Sequence, residues 1–93
     1  MFTICALYKF SRLDDFDKMQ RPLRDFMDSL NVRGTLLLAR EGINGTISGS
    51  DSAINKILDY LNADKRLRDL EYKFSYSETI PFKRLKVKLK EEI

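Results

Sequence analysis

Gly34-Thr35-Leu36-Leu37-Leu38-Ala39-Arg40-Glu41-Gly42-Ile43-Asn44-Gly45-Thr46-Ile47-Ser48-Gly49 is the stretch on which the fold turns. Two strand-like runs flank an Asn-Gly pair, a strong short-range hairpin signal because both residues tolerate the positive φ angles of a type I′ turn. The spacing predicts a strand over 35–40, a turn at Asn44-Gly45 and a returning strand over 46–48, with Gly34 ending the linker that leads in.

A lone hairpin is marginal in water and needs neighbours to bury its apolar side. Upstream, Phe2 to Phe10 is a continuous apolar run rich in β-formers, which predicts a strand buried on much of both faces. Phe16, Met19, Leu23, Phe26, Met27 and Leu30 then recur at helical spacing, with Asp14 or Asp15 placed to cap them. Pro22 interrupts that pattern and would cost about 3 kcal/mol in a regular helix. Either the helix kinks there or it restarts with Pro22 in its first turn; the apolar phase runs unbroken across the proline, which favours one kinked helix.

Downstream, Gly49-Ser50-Asp51-Ser52 supplies an N-cap, and Ile54, Ile57, Leu58 and Leu61 fall at i, i+3, i+4 and i+7. Residues 70–76 alternate polar with aromatic (Tyr72, Phe74, Tyr76), as a half-buried strand does, and most of these aromatics are expected in the core. Beyond a loop around Pro81, residues 84–90 alternate again, with Leu85, Val87 and Leu89 on one face and cations on the other.

The order is β-α-β-β-α-β with an extra C-terminal strand. A right-handed crossover makes the first two strands parallel, and the hairpin lets the third fill the gap antiparallel to both. This is an α+β, ferredoxin-like (acylphosphatase-like) arrangement with both helices on one face of the sheet. No linker or repeat divides the chain, so residues 1–93 form a single domain. On the uncovered face, Cys5 and Leu7, opposite in parity to Ile4, Ala6 and Tyr8, are expected to make the surface partly apolar.

Composition narrows the chemistry. The 93 residues include no histidine, which excludes Ser-His-Asp, Cys-His and His-ligated metal schemes within this chain. The single cysteine, Cys5, lies in an apolar strand and is expected to be inert, because burial disfavours the thiolate. Asp14, Asp15, Asp17, Asp25 and Asp28 read as the polar side and N-terminus of the first helix. The expectation is therefore no catalytic residue, no metal and no cofactor in this domain. No apolar run reaches the roughly 18 residues that span a membrane, and no basic leader precedes Phe2, so a cytoplasmic setting is expected.

The net charge of +3 has a location. Lys83, Arg84, Lys86, Lys88 and Lys90 face only Glu91 and Glu92 in the last thirteen residues, while the rest of the chain is balanced. Four of these cations at period two would line one face of a strand and could follow a phosphate backbone. The same row would equally serve to protect a sheet edge from pairing with another chain. At the predicted hairpin tip, Arg40 and Asn44 offer charge and hydrogen bonds to a phosphate or a base edge, or else merely satisfy turn geometry.

The run Gly34 to Thr46 resembles the signature of the N-terminal domain of bacterial rhodanese-containing tRNA uridine hydroxylases, and Pro81-Phe82-Lys83-Arg84-Leu85-Lys86-Val87-Lys88 is a second match. The resemblance covers essentially the whole chain. It implies an acylphosphatase-like accessory domain that precedes a rhodanese domain, expected after residue 93, which holds the active-site cysteine. In that family the complete enzyme hydroxylates the wobble uridine of certain tRNAs with molecular oxygen, and Cys5 does not match its cysteine.

Three hypotheses follow. In the leading one the domain helps grip tRNA, and charge location picks Arg40, Asn44, Lys83, Arg84, Lys86, Lys88 and Lys90 as the contacting residues. In the second it is an interaction module that docks on the rhodanese domain without touching RNA. The third, an acylphosphatase-type hydrolase, is disfavoured: the loop after the first strand, Lys9-Phe10-Ser11-Arg12-Leu13-Asp14-Asp15, lacks glycine and carries two acids that would repel phosphate.

Overall fold

The computed structural model describes residues 1–93. Its elements are β1 (Phe2–Phe10), α1 (Phe16–Ser29), β2 (Arg33–Ala39), β3 (Gly42–Gly49), α2 (Asp51–Asn62), a 3₁₀ turn (Lys65–Leu67), β4 (Glu71–Ser77) and β5 (Leu85–Leu89). The five strands lie in the order β4-β1-β3-β2-β5. β3 runs antiparallel to both β1 and β2, β4 antiparallel to β1, and β5 parallel to β2. This is the ferredoxin-like order with one added edge strand. No helix is long and apolar enough to cross a membrane.

The hairpin that decides the fold turns four residues earlier than Asn44-Gly45. Ala39 pairs with Gly42, and Arg40 and Glu41 form the two-residue loop. Both loop residues keep negative φ, so the turn is not of type I′; Gly42, at φ 145°, absorbs the change of direction. Hydrophobic register explains the shift. A turn at Asn44-Gly45 would send Ile43 to the opposite face and leave Leu36 and Leu38 without partners in β3. The observed register puts Leu36, Leu38, Ile43 and Ile47 on the same side, all fully buried. Consequently β3 starts at Gly42, and Gly34 lies inside β2 instead of ending a linker.

Both helices pack on that side. α1 lies over β5 and β2, and α2 over β1 and β3. Their apolar stripes (Leu23 and Met27; Ile54, Ile57 and Leu61) close the core against the sheet. α1 is a single helix across Pro22. Asp15 occupies its N-cap position but makes no capping bond, because its carboxylate is taken by Arg66. α2 is capped as expected, the Ser50 hydroxyl accepting from the Ala53 N–H at 3.1 Å. At the edge, the Gln20 side chain donates to the Val87 carbonyl at 2.6 Å and ties α1 to β5.

Two expectations about faces are corrected. Cys5 and Leu7 point into the core, and Ile4, Ala6, Tyr8 and Phe10 occupy the uncovered face, so β1 alternates instead of burying both sides. On β4, only Phe74 of the three aromatics packs against the core; Tyr72 and Tyr76 are 52% and 60% exposed. The reason is width. A helix is about 10 Å across and strands are about 4.8 Å apart, so two helices roof four strands and the fifth is left bare.

Candidate nucleic-acid interface on the open face

Cα pairing across the sheet fixes which residues share the uncovered face. One cross-strand row reads Lys73, Ala6, Thr46, Thr35, Lys86, from β4 through β1, β3 and β2 to β5. The next row reads Glu71, Tyr8, Asn44, Leu37, Lys88. The ladder extends past both ends of β5: the Gly34 N–H donates to the Arg84 carbonyl at 2.7 Å, and the Lys90 N–H to the Leu38 carbonyl at 2.8 Å. Arg84, Lys86, Lys88 and Lys90 therefore line the open face of an edge strand, about 6.6–6.8 Å apart. All four are exposed, and none forms an ion pair.

The remaining candidates divide. Lys83 sits in the loop before β5, beside Arg84 and Thr35, at the foot of the basic row. Asn44 is no turn residue; it stands in the middle of β3, exposed, and its carboxamide forms no hydrogen bond within the protein. Arg40 is carried elsewhere. Its guanidinium lies 5.9 Å from the Phe16 ring centroid, on the helical side, and 3.9 Å from Asp14. The structure thus joins Asn44 to the basic row and separates Arg40 from it.

Tyr8 is the residue that sequence reasoning missed. Its phenol donates to the Glu71 carboxylate, and its ring meets Phe10 edge-on at 6.1 Å between centroids. That hydrogen bond, together with the negative charge of Glu71, raises the pKa of the phenol. Between Tyr8 and Asn44, over the small side chains of Ala6 and Thr46, lies a shallow hollow of about 290 Å³ bordered by Glu71 and Lys73. The signal was the even parity of Tyr8 and Phe10 in β1, hidden because the whole run is apolar.

The helical side offers a larger groove of about 430 Å³ between α1 and α2, lined by Met19, Leu23, Leu61 and Leu67. Of its two cations, Arg66 is spoken for, contacting Asp15 at 2.5 Å and Asp64 at 2.7 Å, while Lys18 forms no ion pair. Hydrogen bonds from Arg66 hold both carboxyls below their ordinary range, and the two acids raise the guanidinium in return. Burial pushes the Cys5 thiol up to about 11, so it is protonated at neutral pH. Arg12, the arginine after β1, is held by Asp14 at 2.9 Å.

Residues 2–93 match the family described as the UPF0176 acylphosphatase-like domain. Among solved structures, the chain is similar to BlrP1 of Klebsiella pneumoniae in a calcium and cyclic-di-GMP complex, with 19% identity and a TM-score of 0.79 over 98% of this chain and 24% of that one. It is also similar to the BLUF protein BlrB in its dark state, with 19% identity and a TM-score of 0.75 over 94% of this chain and 72% of that one. A bacterial light-regulated adenylyl cyclase gives 15% identity and a TM-score of 0.69 over 95% of this chain and 28% of that one. At these identities the likeness is one of fold alone. The chain spans about a quarter of the length of BlrP1.

Proposed function

Because the chain belongs to the family of UPF0176 acylphosphatase-like domains, we propose that it is a non-catalytic module that contacts tRNA on behalf of a larger, cytoplasmic, oxygen-dependent wobble-uridine hydroxylase. The observation that carries this reading is the unpaired row Arg84, Lys86, Lys88 and Lys90, which shares one sheet face with Asn44. Ammonium groups without carboxylate partners hold small counterions, and releasing those ions on a phosphate backbone drives association. The catalytic step is assigned to the rhodanese domain of the full-length protein. A histidine-free chain whose one thiol is buried has no group suited to it.

Titration of the 93-residue chain with tRNA at several salt concentrations tests the reading. Affinity is expected to fall steeply with salt. Lys86→Glu, Lys88→Glu and Lys90→Glu together are expected to flatten the log–log slope by about two, at roughly 0.7 per phosphate contact. An unchanged affinity in the triple variant would discard this surface.

A second reading, docking on the rhodanese domain without RNA contact, draws support from the bare aromatic side of β4, where Tyr72 and Tyr76 have no helix over them. The hydrolase reading has less to stand on, since the arginine it needs is already engaged by Asp14.

A further inference from the structure

We propose that the hollow between Tyr8 and Asn44 receives one unpaired nucleobase, stacked on the Tyr8 ring, so that the open face selects single-stranded RNA over duplex. This rests on the reading of the domain as an RNA-contacting module and adds a base site to its phosphate-tracking row.

Three features of the face converge on it. Tyr8 is a fixed platform: the bond to Glu71 and the edge contact with Phe10 hold its ring, so little side-chain freedom is lost when a base settles on it. An exposed sheet with aromatic residues on an inner strand is a general solution for splayed bases, and stacking tolerates any base because each has a π-face. Asn44, one strand over in the same row as Tyr8, holds both a donor and an acceptor free of partners within the protein, which suits the edge of a base lying over Ala6 and Thr46.

The charge pattern agrees. Lys73 and Lys86 stand at opposite ends of the row Lys73, Ala6, Thr46, Thr35, Lys86, neither of them ion-paired, with only small side chains between. Four strand steps separate them, about 19 Å. A single strand crossing this trough meets a cation on either bank and, in the adjoining row one strand in from Lys73, the Tyr8 ring. A duplex keeps its bases stacked inside and can use only the banks. The cost already present in the strand points the same way. Asn is disfavoured in strand interiors, yet Asn44 occupies the central strand with its side chain open to solvent, as local rules are broken at functional sites.

The test compares a fluorescein-labelled single-stranded RNA of mixed sequence with the same strand annealed to its complement. The chain is expected to bind the single strand more tightly. Tyr8→Leu, which keeps an apolar strand residue, is expected to weaken single-strand binding by roughly 5- to 150-fold, the worth of one base–aromatic stack, and to leave duplex affinity and the salt slope unchanged. Tyr8→Phe keeps the ring and should retain most of the affinity; circular dichroism melts confirm that both variants fold. If Tyr8→Leu binds single strands as well as the parent while the triple Lys→Glu variant loses both RNAs, the base site is wrong and the phosphate row stands. If the parent binds neither RNA, both readings fall.

Discussion

At the scale of single residues, the same short sequence holds one packing necessity and one solvent-facing side chain next to each other. Gly45 belongs to packing. A Cβ built there would sit 2.1 Å from the Thr35 carbonyl oxygen and 2.8 Å from the Leu36 Cα, backbone atoms that cannot step aside. Gly45→Ala is therefore expected to lower stability by about 2 kcal/mol, or roughly 8–16 °C in Tm for a domain of this size. A thermal melt checks it, and a shift under 2 °C or so would show that β2 and β3 can separate more easily than the geometry implies. Asn44, next in line, faces out and packs against nothing comparable. The pair that looks like one turn signal is thus one packed glycine beside one outward-facing side chain, and only the register tells them apart. This is why the hairpin was legible from residues 34–49 while its turn was not. Local chemistry favours Asn-Gly, but burial of Ile43 with Leu36, Leu38 and Ile47 outweighs it.

At the scale of elements, α1 shows how far periodicity reads through an interruption. The apolar residues keep phase on both sides of Pro22, and the helix runs on through it. The proline is exposed, so it contributes no core contact that a substitution would lose. Pro22→Ala restores an N–H for the Lys18 carbonyl and is expected to raise stability by about 1 kcal/mol, less than the roughly 3 kcal/mol cost of proline in an undistorted helix because the surrounding turns already accommodate the ring. A Tm gain of about 4–8 °C checks this. A loss would mean that the proline itself helps to seat the helix on β5. In β5, alternation alone put the cations on one face and the leucines on the other, and the structure agrees. The aromatics of β4 alternate just as cleanly, yet their apolar side is not covered. Alternation reports a strand's two faces; it says nothing about whether a neighbour exists to cover either.

At the scale of the whole molecule, the two helices are joined at one end by Arg66, which bridges Asp15 before α1 and Asp64 after α2. Both carboxyls are held below their ordinary range chiefly by hydrogen bonds from Arg66. A carboxyl whose folded pKa is depressed contributes stability above its unfolded value, about 3.9, and loses it as pH falls through the lower folded value. Arg66→Gln is accordingly expected to melt below the parent at neutral pH, with the two converging in acid as pH falls through the lowered carboxyl values. Paired melts across that window check the sign; a gap that persists in acid would show that Arg66 acts through packing on Met19 and Leu67 instead of charge. None of this clamp was legible in sequence, since Asp15 and Arg66 meet only once α1 and the 3₁₀ turn pack together.

Cys5 has a consequence of its own. It lies in β1 with β3 on one side and β4 on the other, wholly hidden from solvent, and it is the one sulfhydryl in the chain. Its side chain points into the core beneath α2, so alkylating reagents gain access only when the helices and the sheet come apart, and the labelling rate serves as a built-in clock for kinetic persistence. On the proposed reading, an RNA held on the open face would slow that clock without touching the sulfur.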